Sequence, residues 1–163
     1  MFNKDAVKVG VAPILWSNDD LPELGGDISF TQCISEMALS GYAGCEVGHK
    51  FSRDPNRLKR ELEPYALEVA SAWFSSFFTI DSQFDETVKA FDEHLIFLSH
   101  MGAKVVVVAE CGHGIQQQPR PILHDKIQFE PTHWQSLFEG LSIIAKMALK
   151  KNMKLAYHYH MGT

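Results

Sequence analysis

The segment from Lys104 to Glu110 constrains the fold more than any other, because an unbroken apolar run, Val105 to Ala109, ends in a carboxylate and is followed by the loop Cys111-Gly-His-Gly. A Val-rich run without polar alternation suits a strand of a parallel sheet from which helices exclude water on both faces. The carboxyl ends of such strands form the functional rim of parallel barrels and of open parallel sheets. Glu110 therefore falls at a rim, and the rest of the chain can be read for further copies of the same unit.

Read in order, the chain supplies them. Residues 7–12 alternate apolar with small or polar residues and predict a first strand; residues 13–26 carry prolines and glycines that break a helix and predict a long strand-end loop. Asp27 or Ser29 caps a helix to about Ser40, with Ile28, Cys33, Met37 and Ala38 turned inward and Gly41 as its stop. Residues 44–48 are a short second strand carrying Glu46. Asp54 and Pro55 open a helix to about Tyr65, and residues 68–74 form a third strand with Trp73 near its exit. Phe84, Val88, Phe91, Leu95 and Leu98 share one face of a helix over 83–100. After the fourth strand, 104–110, the loop 111–131 is long enough to suggest a functional role. A helix over 132–151 carries the stripe Trp134, Leu137, Phe138, Leu141, Ile144, Ala145 and Ala148, and residues 154–160 form a fifth strand.

Five strands alternating with four helices define an α/β chain of repeated βα units, made parallel by right-handed crossovers. It is either an open doubly wound sheet or a (β/α)8 TIM barrel represented by strands 1 to 5. Two features favour the barrel: the chain stops on a strand end without a covering helix, and polar residues end every strand. On that reading residues 1–163 are the N-terminal part of a single barrel domain, truncated a little past halfway.

Composition narrows the partners. With 45% hydrophobic and 21% charged residues the chain is an ordinary globular protein, and a net charge of -5 without a basic cluster argues against nucleic acid and anionic membranes. The N-terminus lacks a signal-peptide pattern and no apolar run approaches ~18 residues, so a cytoplasmic location is expected. Cys33, Cys45 and Cys111 form an odd set without a CxxC, which predicts reduced thiols and no structural zinc. No GxGxxG follows a strand and no GxSxG occurs, which disfavours a nucleotide cofactor and a serine-hydrolase nucleophile.

Several residues at strand ends are suited to chemistry. Trp16, Asn18 and Asp19, with Asp20, offer stacking and hydrogen bonds to a polyhydroxylated ring, although Asn18 and Asp19 could equally organise an Asx turn. Glu46 and Glu110 could act as general acid or base, or be merely solvated or salt-bridged; Trp73 could wall a pocket or belong to the core. His158 and His160, two apart, put both imidazoles on one face of the fifth strand and Tyr157 and Tyr159 on the other. Two converging imidazoles suit a divalent metal or proton transfer, against the plainer reading of hydrogen-bonded histidines.

Residues 9–25, Gly44-Cys-Glu-Val-Gly48, Trp73-Phe-Ser75 and Tyr157-His-Tyr-His-Met-Gly-Thr163 resemble the myo-inosose-2 dehydratases of inositol catabolism, in the xylose-isomerase-like TIM-barrel superfamily. The pieces Trp16-Ser-Asn-Asp-Asp20 and His158-Tyr-His-Met-Gly-Thr163 carry most of the specificity. The resemblance implies a hydro-lyase that dehydrates 2-keto-myo-inositol, a cyclic polyol ketone, to a trihydroxycyclohexane-dione, with a divalent ion such as Mn or Co and, in some members, glutathione. It implies catalytic roles for Glu46, Glu110, His158 and His160, substrate contacts from Trp16, Asn18, Asp19 and Trp73, and a metal ligand in His158 or His160 with the other ligands beyond Thr163. A sugar isomerase or epimerase on the same scaffold is the alternative within enzymes; an inert fragment or a ligand-binding module is the alternative outside them. A homo-oligomer is compatible with the sequence, and the 163 residues alone are expected to be inactive.

Overall fold

The computed structural model describes residues 7–115, 118, 121 and 127–159. Five strands, β1 (Gly10–Val11), β2 (Gly44–Val47), β3 (Glu68–Ser76), β4 (Val105–Glu110) and β5 (Lys154–Tyr157), form one parallel sheet in sequential order. Between them run α1 (Phe30–Leu39), α2 (Pro55–Leu62), α3 (Phe84–Met101) and α4 (Pro131–Lys150). Sequential parallel order with a helix in each crossover is the beginning of a barrel; a doubly wound sheet would reverse its strand order at a switch point.

The helices start and stop where local chemistry requires. Ser29 Oγ caps α1 by accepting from Gln32 N–H, and Asp54 caps α2 by accepting from Asn56 and Arg57 N–H ahead of a proline at the first turn. The backbone of Gly102, at φ 82°, closes α3. One core lies between the sheet and the helices: Cys45, Val47, Val69, Ala72, Val106 and Val108 meet Met37, Leu58, Leu62, Phe91, Leu95, Leu98 and Ile144. At about 25 cal/mol per Å² of apolar area removed from water, this layer is the main favourable contribution to the fold.

Four details differ from the sequence reading. The first strand is confined to Gly10–Val11, and Val7 and Val9 are exposed, since β1 lies at the sheet edge and pairs only with the short β2. The run in β4 is not buried on both faces throughout: Val106 and Val108 are fully buried under the helices, whereas Val105 and Val107, on the concave face, are half-buried. In α4 the inward face is Leu137, Gly140, Ile144 and Ala148, which leaves Trp134 and Phe138 largely exposed, their rings 5.7 Å apart on the helix flank. Gly140 sets that rotation, because a Cβ there would lie 2.3 Å from the Phe78 ring. The fifth strand ends at Tyr157; His158 follows it directly, and His160 lies outside the described residues.

A shift in register sits between β2 and β3. Cys45 pairs with Val69 but Glu46 pairs with Ser71, so Ala70 is an extra residue in β3. Val69 stays in the core below the bulge, while above it Trp73 and Ser75 are turned to the concave face.

Candidate active site

A cleft of about 640 Å³ opens on the concave face at the carboxyl ends of the strands, lined by Asn18, Asp19, Asp20, Glu46, Arg53, Trp73, Ser75, Val107 and His158 among others. The lining residues on the strands follow from register. Trp73 pairs with Val107 and Ser75 with Ala109, and paired residues of parallel strands share a face. His158 N–H continues the β4–β5 ladder to Val108 O at 2.8 Å, which puts its imidazole on the same side as Ala156 and opposite Tyr157.

Glu46 and His158 face one another electrostatically in the cleft. Burial raises the Glu46 pKa above the usual carboxylate range, while the neighbouring His158 pulls it down. The Trp73 ring lies edge-on to His158 at 5.2 Å, and its indole N–H donates to Ser75 Oγ at 3.0 Å. An apolar wall, a carboxyl with a raised pKa and an imidazole therefore share one cleft, a combination suited to acid–base chemistry.

The sequence-predicted residues separate into two groups. Glu46, Trp73, His158, Asn18 and Asp19 meet at the cleft. Asn18 also makes the turn that was its plainer reading, its Oδ1 accepting from Asp20 and Leu21 N–H, and Asp19 Oδ1 lies 2.6 Å from His49 Nδ1. Trp16 stands apart: its indole N–H donates to Glu36 at 2.6 Å, and its ring packs against the core beside α1.

Glu110 also stands apart from the cleft. It pairs with Ser76 on the helix-facing side of the sheet and is completely buried. Ser76 Oγ (2.8 Å) and Phe78 N–H (3.1 Å) donate to one of its oxygens; Thr79 Oγ1 (2.8 Å), Thr79 N–H (3.2 Å) and Gly112 N–H (3.1 Å) donate to the other. The Tyr157 hydroxyl meets the Glu110 backbone. Glu110 thus ties the ends of β3, β4 and β5 together from behind the cleft.

Arg53, Ser75 and Val107 are lining residues that the sequence reading passed over. Ser75 and Val107 were findable by counting two residues from Trp73 and from Val105; Arg53 lies in the rim segment just ahead of the Asp54–Pro55 helix start. Cys33 and Cys45 are core residues whose thiols burial pushes up to about 11 and about 12, which removes them as nucleophiles. Among the described residues no group of three or more His, Cys, Asp or Glu is placed to hold a metal ion, and no helix is long and apolar enough to cross a membrane.

The sequential parallel sheet order is that of the first half of a TIM barrel. A sugar phosphate isomerase/epimerase from Parabacteroides distasonis superposes with a TM-score of 0.64 over 94% of this chain and 51% of its own, at 11% identity, and an L-ribulose 3-epimerase with 0.63 over 93% and 49%, at 14%. Sequence likeness is far closer to one activity: the chain is 53% identical over its whole length to the inosose dehydratase of Clostridium tetani and 51% identical to that of Geobacillus thermodenitrificans. It spans about half the length of these curated relatives, 55% in each case. No family model matches.

Proposed function

We propose that the chain is the first part of an inosose dehydratase, a hydro-lyase acting on a cyclic polyol ketone. The observation that carries this reading is the 53% identity with the Clostridium tetani inosose dehydratase along the full length of the chain. The proton on the carbon beside the ketone passes to a base, the electron pair forms an enolate, and its collapse expels the β-hydroxyl, which leaves as water after taking up a proton. Glu46 is the group we assign to proton movement, because burial holds its proton more tightly than an exposed carboxyl would. Trp73 walls the ring, and Asn18 and Asp19 face its hydroxyls. His158 holds a position from which it can polarise the substrate oxygen, and Glu110 positions the rim without touching substrate.

A divalent ion, Mn or Co, belongs to the same proposal only in part. Glu46 and His158 can offer it one donor each, which is short of the coordination such ions take, so the described residues alone do not fit it and no step above passes through it.

The test completes residues 1–163 with the portion of the Clostridium tetani enzyme that they do not match and measures water loss from inosose. Turnover is expected, falling about a hundredfold or more in Glu46→Gln and in His158→Ala. Epimerisation of ketoses in place of dehydration, or unaltered turnover in both variants, would overturn the reading.

A further inference from the structure

The loop between β1 and α1 brings Asn18, Asp19 and Asp20 to the cleft, and two consecutive residues after β2 hold it from outside. Lys50 Nζ donates to the carbonyls of Gly25 at 2.6 Å, Gly26 at 3.3 Å and Ile28. An ammonium has three N–H donors and no acceptor, so these three carbonyls take its whole donor set. They converge because Gly25, at φ 75°, folds the chain back beneath Trp16, where a Cβ would lie 1.9 Å from the Trp16 carbonyl oxygen. Asn18 N–H donates to Leu24 O at 3.0 Å and closes the neck of the loop. Beside Lys50, the backbone N–H of His49 donates to Asp19 Oδ1 at 3.3 Å, and the His49 ring meets the same oxygen.

We infer that Lys50 is a positioning residue whose ammonium, by binding the three carbonyls of residues 25, 26 and 28, sets where Asn18, Asp19 and Asp20 stand at the cleft. The charge is the operative part. A methionine retains the stem but offers the carbonyls no donor, and arginine replaces a point charge with three rotatable donors by a planar fork that cannot address three converging oxygens. That Asn18, Asp19 and Asp20 meet a polyol rests on the reading above; that Lys50 places them does not.

The experiment is amide hydrogen exchange on the 163-residue chain, comparing wild type, Lys50→Met and Lys50→Ala. Exchange at Asn18, Asp20, Leu21, Leu24 and Ile28 is expected to speed up at least tenfold in Lys50→Met, while Leu95 and Leu98 in α3 keep their protection. In Lys50→Ala, added propylammonium is expected to restore the slow exchange, which a side chain acting only as packing would not allow. Loop protection within twofold of wild type in Lys50→Met, an equal loss at Leu95 and Leu98, or no rescue by the amine would overturn the inference. An inactive completed enzyme would count against the dehydratase reading and leave the exchange result on Lys50 intact.

Discussion

Glu46 and Glu110 stand at the carboxyl end of one sheet but on opposite faces of it, Glu46 in the cleft and Glu110 sealed beneath the β3–α3 loop with five donors on its two oxygens. Two carboxyls of the same apparent standing in the sequence therefore have different occupations. One faces the cleft; the other has no lone-pair direction left for a ligand.

Replacing Glu110 by Gln substitutes an N–H₂ for an acceptor that faces N–H and O–H donors. Losing charge-assisted hydrogen bonds and burying mismatched donors is expected to cost about 2–4 kcal/mol, read as a lower urea midpoint at unchanged slope. Glu46→Gln is expected to shift stability by less than ~1 kcal/mol and to act on turnover. Equal stability losses in the two variants would contradict the assignment of roles.

The titration of Glu46 should report its neighbour. Burial raises its pKa and His158 lowers it, so His158→Ala is expected to move the Glu46 midpoint further upward, seen by carbon NMR of the labelled carboxyl. The sign for stability follows: with a folded pKa above the unfolded one, the Glu46 contribution is present at low pH and is lost as pH rises through the folded value. An unmoved or falling midpoint in His158→Ala would show that the two side chains do not share the cleft.

His94 should make the fold acid-sensitive. Its Nε2 is buried without a partner among the described residues, and desolvation holds its pKa down at about 4, with Arg53 acting in the same direction. The neutral form is favoured in the fold, so stability is full above the ordinary pKa of 6.5 and is lost as pH falls towards 4, by about 3 kcal/mol. Urea unfolding at pH 7 and pH 4.5 should show the difference, and His94→Leu should flatten it. His100, exposed on the same helix, is the neutral control for any histidine substitution.

Gly140 offers a test of the helix–sheet packing. A methyl group there would meet the Phe78 ring, so Gly140→Ala is expected to destabilise by about 1–3 kcal/mol despite alanine's better helix propensity. A stabilised variant would mean that α4 can roll away from Phe78.

Periodicity and capping made most of the architecture legible: the Asp54–Pro55 start, the Ser29 cap and the β4 run all lie where the residues place them. Facing was harder to read, for physical reasons. Counting by twos along β3 puts Trp73 on the side of Val69, and only the extra residue at Ala70 turns it to the cleft. Counting along β4 puts Glu110 with Val106 and Val108, on the helix side, yet its position at a strand end drew attention to the rim. Trp16 shares its motif with cleft residues, but its indole N–H is taken by Glu36 twenty positions away, a partner no local pattern announces. The three carbonyls gathered by Lys50 are likewise invisible until the loop is folded.

The two clamps behind the cleft share no residue: His49 and Lys50 secure the first loop to the end of β2, and Glu110 secures the ends of β3, β4 and β5. The rim is thus clamped in two groups, β1 with β2 and β3 with β4 and β5, which meet along the β2–β3 pairing, and the cleft lies across that boundary. A lineage could exchange or retune one group while inheriting the other whole, and substitutions in the two clamps themselves should combine with little interference, unlike those at Glu46 and His158, which meet across the cleft. Recombination at the boundary between the groups then becomes a natural route by which such a rim diversifies.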